Sequence, residues 1–296
     1  MNITEMLAKE FGLKLSQVEQ TVKLIDEGNT IPFIARYRKE ATGGLSDVVL
    51  RDLDERLTYL RNLEERKEEV IRLIEEQDKL TDELADEIRK AEVLQRVEDL
   101  YKPYKKKKAT RASKAREKGL APLAEVLWAQ QENSGSPLDA AKDFVNAEKG
   151  VESAEDALQG ACDIIAERIS DDPELTAAVR EKTEQTGLIR TEAVDSEEKT
   201  VYDMYYDHSE GIDKIPNHRI LAINRGEKEK KLKVKVVTDA EKMEQLLADR
   251  VITSETSIYK DLLDETIADS YKRLMAPSAE REMRNMLTER AEKEAV

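Results

Sequence analysis

The sequence predicts a mainly α-helical fold: an elongated multi-helix assembly with one long strut helix and at most a small β element. Three observations lead there. Of 296 residues, 38% are charged and only 4% aromatic, with 11 glycines and 7 prolines, a composition of long solvated helices and not of a sandwich or barrel. From Asp47 to about Gln77, Leu50, Leu53, Leu57, Leu60 and Leu63 recur at three- and four-residue steps, and Val70, Ile71 and Ile74 resume the stripe. Only Lys231 to Val237 alternates charged and apolar residues convincingly with the period of a strand.

Each element has its own local signal. Ile3–Phe11 and Leu15–Glu27 read as two short helices broken at Gly12, the second with Leu15, Val18, Val22 and Ile25 on one face. Asp26-Glu27-Gly28-Asn29 closes it, Thr30 and Pro32 open a short helix, and Gly43-Gly44 stops that one. Phe33, Ile34 and Tyr37 fit a packed corner that seats the strut. Ser46 caps the strut, which at 1.5 Å per residue would run for about 45 Å. A coiled-coil dimer would need more clean heptads than a seam interrupted around Arg66 and Lys67 supplies.

Thr81 caps the next helix, and Val93, Leu94, Val97 and Leu100 mark another ending at Tyr101. Gly119 ends a basic helix, Pro122 and Pro137 start two more, and Ser153 and Asp172 cap two that follow. The strand at Lys231–Val237 needs a partner, for which Thr200–Tyr206 and Leu188–Ala193 are candidates. Ile215-Pro216 starts a helix that Asn224-Arg225-Gly226 should end. Asp239 caps Ala240–Val251; a later helix turns Tyr259, Leu263, Ile267, Tyr271 and Leu274 inward, Pro277 should break it, and Ser278 should cap its successor. The last residues are good helix formers with no stop signal, which suggests part of something longer. The expected segments are 1–131, a helical domain with the long helix and basic loop; 132–213, acidic and helical; and 214–296, helical with the short strand.

A net charge of −15 argues against a surface that binds nucleic acid all over, so any polyanion site must be local. The clearest anomaly is the run after Tyr101: from Lys102 to Lys118 nine residues are Lys or Arg and only Glu117 is acidic. Tyr101 and Tyr104 flank its start, a pairing suited to single-stranded nucleic acid, with cations tracking phosphates and rings stacking on bases. The candidate binding residues are therefore Lys102, Tyr104, Lys105, Lys106, Lys107, Lys108, Arg111, Lys114 and Arg116. Arg36, Arg38 and Lys39 form a secondary set. The plainer reading of both is a solvated loop or corner, since lysine runs are common in flexible loops. Most of 147–213 is acidic and should repel nucleic acid.

Chemistry of other kinds has little support. There is no Gly-x-x-x-x-Gly-Lys loop and no Gly-x-Gly-x-x-Gly turn. Cys162, His208 and His218 do not make a zinc set at any usual spacing, and Cys162 sits on an apolar helix face as a buried structural thiol would. Asp171-Asp172 is better explained as a helix start than as a catalytic carboxylate pair. No metal, cofactor or catalytic residue is expected. One cysteine fits a reducing compartment, with the cytoplasm the simplest choice, and neither an export signal nor an 18-residue apolar run is present.

Four strings resemble a known family: Gly28–Leu45 (GNTIPFIARYRKEATGGL), Leu60–Arg66 (LRNLEER), Glu98–Lys108 (EDLYKPYKKKK) and Lys214–Lys228 (KIPNHRILAINRGEK). Their order and spread resemble the N-terminal region of the bacterial transcription accessory family called Tex, which is similar to a eukaryotic elongation factor. The resemblance implies a helical region that includes a helix-turn-helix-like subdomain. In the family a resolvase-like domain, helix-hairpin-helix motifs and a C-terminal oligonucleotide-binding barrel follow, and the main nucleic-acid contacts are attributed to the barrel. The expected role is thus non-enzymatic: a scaffold with a secondary basic surface for RNA or DNA. The alternative is a module that docks on RNA polymerase or the ribosome without touching nucleic acid.

Overall fold

The computed structural model describes residues 2–294 and is mainly helical, with one small antiparallel sheet. It comprises two compact units, Met1–Tyr101 and Lys102–Val296.

In the first unit, α1 (Ile3–Phe11) carries a capping box on Asn2 and ends at Gly12. In α2 (Leu15–Asp26) the buried face is Val18, Thr21, Val22 and Leu24; Leu15 is 41% exposed, so the apolar stripe begins one turn later than its spacing suggested. Thr30 caps α3 (Ile31–Tyr37) and α4 (Lys39–Thr42) follows at once. Gly43 is required there on two counts. Its φ of 70° lies in the left-handed region, and a Cβ would stand 2.4 Å from the Gln17 amide nitrogen, which donates to the Thr42 carbonyl at 3.0 Å. The corner holds through Ile34, fully buried with Leu24 and Leu50, whereas Tyr37 is 57% exposed and does not pack inward as expected.

Helix α5 (Asp47–Glu75) is the strut, capped by Ser46 on the Val49 amide. Leu50, Leu53, Leu57, Leu60, Leu63, Val70, Ile71 and Ile74 are all buried along it, and each such side chain contributes about 1.5–3 kcal/mol. The gap in its apolar seam has a structural reason. Lys67 turns inward there, 4% exposed, and donates to Glu64 at 2.7 Å and to the Arg89 carbonyl at 2.9 Å. Arg89 lies in the last turn of α6 (Asp82–Lys90), so the ammonium satisfies a carbonyl that the helix end would leave open. Nearby Arg66 bridges Glu69 and Glu98, and its guanidinium stands 5.4 Å from the ring centre of Tyr101, the last residue of α7 (Leu94–Tyr101).

Two forked ion pairs tie the first helices to the strut, Glu10 with Arg56 and Asp26 with Arg61. The arginine hydrogen bonds hold both carboxyls below their usual range. What these half-exposed pairs add to stability is small, is present at neutral pH, and is lost as pH falls through the lowered values.

The second unit holds α8 (Arg111–Glu117), α9 (Ala121–Ala129), α10 (Pro137–Ala141), α11 (Ala154–Asp171) and α12 (Pro173–Thr186). They surround a core of Leu123, Leu127, Ile165 and Ile169, joined by Tyr259, Leu263 and Ile267 from further along the chain. The sheet follows: β1 (Leu188–Ala193), β2 (Asp207–Gly211) and β3 (Leu232–Val237), in the order β2-β1-β3, with Thr191 opposite both His208 and Val234. Leu188–Ala193 is therefore the partner of the alternating strand. Thr200–Tyr206 is instead a turn with a short 3-10 helix, because Tyr202 and Tyr205 plug the core beneath the sheet. Strand β2, all polar apart from its glycine, had no alternation to reveal it.

Helix α13 (Asn217–Lys228) does not stop at Asn224-Arg225-Gly226. Gly226 is buried in it, and a Cβ there would come within 2.6 Å of Leu232, so this glycine permits close helix–strand packing and does not end the helix. Helix α14 (Ala240–Val251) is capped by Asp239 as expected. Beyond α15 (Lys260–Asp269), Pro277 does not break the chain and Ser278 does not cap it; a π-helical turn, Ser270–Met275, leads directly into α16 (Ala276–Glu294). The wide turn absorbs the misfit that a proline creates with the turn before it. It also shifts the register, so that Met275 faces the core where Leu274 was expected.

The buried residues of α16 are Ala279, Met283, Leu287 and Ala291, spaced by fours. At 3.6 residues per turn each such step advances the stripe by about 40°. The helix accordingly faces the helical core at Ala279 and the sheet's core, with Ile189, Ile223 and Leu232, from Met283 onward.

Candidate nucleic-acid interface

The basic run begins in a 3-10 turn, Lys102–Tyr104, continues as a loop, and ends as α8. Thr110 caps α8 by accepting from the Ser113 amide at 3.0 Å, while the Thr110 amide donates to the Ser113 hydroxyl at 2.8 Å. The other end closes on Gly119, φ 79°, with Leu120 N–H bonded to the Ala115 carbonyl and Gly119 N–H to the Arg116 carbonyl. Ala112 and Ala115 are buried against α11. The opposite α11 position is Gly160, where a Cβ would lie 2.3 Å from Leu120 Cδ1 and 3.4 Å from Ala115 Cβ. Small residues on both sides let the helices touch, which leaves the charged face of α8 to solvent.

The nine candidates do not behave alike. Lys102 donates to the Ser170 carbonyl at 2.6 Å, in the last turn of α11. Lys107 pairs with Asp171 and lies 3.9 Å from Glu167. Arg116 donates to Glu167 at 2.9 Å, and the Thr110 hydroxyl donates to its other oxygen at 2.9 Å. Glu167 and Asp171, one helical turn apart on α11, thus act as clamps for the run. Burial would raise the Glu167 carboxyl, but Arg116, Lys107 and Thr110 together hold it below its usual range. For Asp171 burial is the larger influence and leaves the carboxyl raised despite Lys107. Its neighbour Asp172 caps α12 through the Glu174 and Leu175 amides, both at 2.9 Å.

Lys105, Lys106, Lys108, Arg111 and Lys114 remain on the surface, and Tyr104 is half-buried. Among the described residues the side chains of Lys106, Lys108 and Lys114 make no hydrogen bond or ion pair. Arg111 lies near enough to Asp269 to lower that carboxyl, though the Arg273 hydrogen bond does most of it. The secondary set belongs to the first unit: Arg36, Arg38 and Lys39 are all exposed, with the Arg38 guanidinium 5.3 Å from the ring centre of Phe33. Reading the sequence missed Glu167, although its place one turn before Asp171 was visible.

Cys162 is buried beside Thr266, while His208 is bonded to Glu210 at 3.1 Å, so no Cys–His pair forms between them. Burial, opposed by the Thr266 hydrogen bond, pushes the thiol up to about 11. A thiol this far above neutrality is almost entirely protonated at pH 8. The native protein should therefore resist iodoacetamide at pH 8 and take up one label only on unfolding, as mass spectrometry would show. Among the described residues no group of three or more His, Cys, Asp or Glu could hold a metal, and no helix is long and apolar enough to cross a membrane.

Glu167 and Asp171 of α11 thus hold part of the basic run in place within a mainly helical chain, and its sequence relationships give the family. Residues 1–75 match the Tex-like protein N-terminal domain and residues 132–296 the Tex central region-like domain. The chain belongs to the Tex family. It is 45% identical over 297 residues to the uncharacterized protein YdcI of Bacillus subtilis, covering 99% of this chain and 41% of that one. With the transcriptional accessory protein Tex of Neisseria gonorrhoeae it shares 39% over 306 residues, all of this chain and 40% of the relative. A more distant relative is the S1 RNA-binding domain-containing protein 1 of Pongo abelii, 31% identical over 311 residues, all of this chain and 31% of that one. The chain thus spans about two fifths of the length of its bacterial relatives.

Proposed function

We propose that this chain is a non-catalytic helical scaffold of a cytoplasmic, Tex-type transcription accessory protein, and that it contributes a basic surface for the sugar-phosphate backbone of RNA or DNA. The observation that carries the reading is the unpaired charge of Lys106, Lys108 and Lys114 in a chain of net charge −15, beside a loop held in place by Glu167 and Asp171. Lys102, Lys107 and Arg116 serve mainly to hold that loop. The names of two relatives, a transcriptional accessory protein and an S1 RNA-binding domain protein, support the same direction.

The test is the double variant Lys106→Glu/Lys108→Glu, which breaks no contact within the protein. Binding to a single-stranded RNA 20-mer is followed by fluorescence anisotropy between 50 and 200 mM salt. Each phosphate contact to a single strand contributes about 0.7 to the slope of log K against log salt. Losing two should flatten the slope by about 1.4, and an unchanged slope would overturn the reading. In that event the protein-docking alternative gains, with Val201 (86% exposed) and Met204 (70% exposed) as the apolar side chains for a partner such as RNA polymerase or the ribosome.

A further inference from the structure

We propose that Lys118 and Lys149 form a phosphate-binding pair that extends the basic strip of α8 onto a second loop. The inference rests on the nucleic-acid reading above and gives the strip a second, separately testable end.

Lys118 follows the last turn of α8, and Gly119 comes next at φ 79°. Lys149 ends a short 3-10 turn, Ala147–Lys149, and Gly150 comes next at φ 78°. This turn is fixed by the paired backbone bonds between Asn146 and Val151, 2.8 and 2.9 Å, with the Asn146 side chain accepting from the Lys149 amide. The two Lys-Gly corners face each other reciprocally. The Lys149 ammonium lies 3.6 Å from where a Cβ on Gly119 would stand, and the Lys118 ammonium lies 3.8 Å from the equivalent point on Gly150. Each lysine therefore reaches across the other's glycine, through space that a side chain would fill.

The reciprocal reach brings two positive charges to one junction between the loops. Glu117 and Glu148 are their sequence neighbours, yet among the described residues neither lysine makes an ion pair with a carboxylate. An anion supplied from outside would compensate both charges, and a phosphodiester oxygen accepts from several ammonium donors at once. The pair also continues a line of charge. Arg111, Lys114 and the cap residue Lys118 fall at i, i+3 and i+7, on a face that flanks the buried Ala112 and Ala115. From Arg111 to Lys118 the line runs about 10 Å at 1.5 Å per residue.

The experiment uses the whole chain and the same RNA 20-mer. Lys118→Gln/Lys149→Gln should lower the salt slope by about 1.4, with the melting temperature nearly unchanged because neither side chain is held in an ion pair. The control Lys228→Gln/Lys233→Gln removes the same charge from exposed positions outside the strip and should leave the slope nearly as it was. If Lys106→Glu/Lys108→Glu flattens the slope and the Lys118/Lys149 variant does not, the pair is overturned while the nucleic-acid reading stands. Equal losses in pair and control would also overturn the pair, and no loss in any variant would overturn both readings.

Discussion

Replacing Gly160 with leucine should lower the melting midpoint of the unit Lys102–Val296 by roughly 3–10 °C. The packing of α8 on α11 leaves no room for even a Cβ at this position, since the first atom of a side chain would stand 2.3 Å from Leu120 and 3.4 Å from Ala115. Leu120 is 1% exposed, so its side chain has nowhere open to move. Relief would have to come from α8 lifting away from α11. Overpacking of this kind typically costs about 1–3 kcal/mol, and a domain of this size loses about 2–4 °C per kcal/mol. A thermal melt followed by circular dichroism measures it. A midpoint within 1 °C of the parent would mean that α8 and α11 are not in the contact described. Because α8 carries the exposed charges, the same variant should also weaken RNA binding without altering a single charge.

Glu167→Gln should act with opposite signs on stability and on binding. The carboxylate accepts from Arg116 and Thr110 and lies near Lys107, with only 13% of its side chain exposed. Neutralising it weakens two charge-assisted hydrogen bonds, each worth about 1.5–3 kcal/mol when fully lost. Glutamine keeps an acceptor, so a net loss of about 1–2 kcal/mol is expected. At the same time Arg116, and in part Lys107, lose the carboxylate that neutralises them. If the run binds phosphates, RNA affinity should rise and the salt slope should steepen by about 0.7 for each cation so released. A variant that is destabilised and binds less tightly would show instead that the clamped geometry matters more than the charge. The stability difference should also fade in acid, because the native Glu167 carboxyl is held low and its contribution disappears as pH falls through that lowered value.

Most of the helices were legible because caps and periodicity are local. Ser46, Thr81, Ser153, Asp172 and Asp239 all cap the helices they were read to open. The errors fall where a distant residue decides. Gly226 and Pro277 carry stop signals in any window of sequence, yet one makes room for Leu232 and the other is accommodated by a π-helical turn. The interruption at Arg66-Lys67 counted correctly against a long coiled coil, but nothing near it in the sequence indicated that Lys67 reaches the end of α6. The basic run was equally conspicuous, whereas its division into clamped and exposed members depends on Glu167 and Asp171, about 50 to 70 residues downstream. Composition reveals how much charge a loop carries and not which charges are already satisfied.

The winding stripe on α16 has a thermodynamic consequence. One rigid rod lends Ala279 to the helical core and Met283, Leu287 and Ala291 to the core beneath the sheet. Fraying of the sheet would uncover apolar surface on the same helix that the helical core holds in place, and loosening of that core would free the rod on which the sheet rests. The two cores therefore share one opening free energy, and slow amide exchange in β1 and in α11 should disappear together when that rod is destabilised.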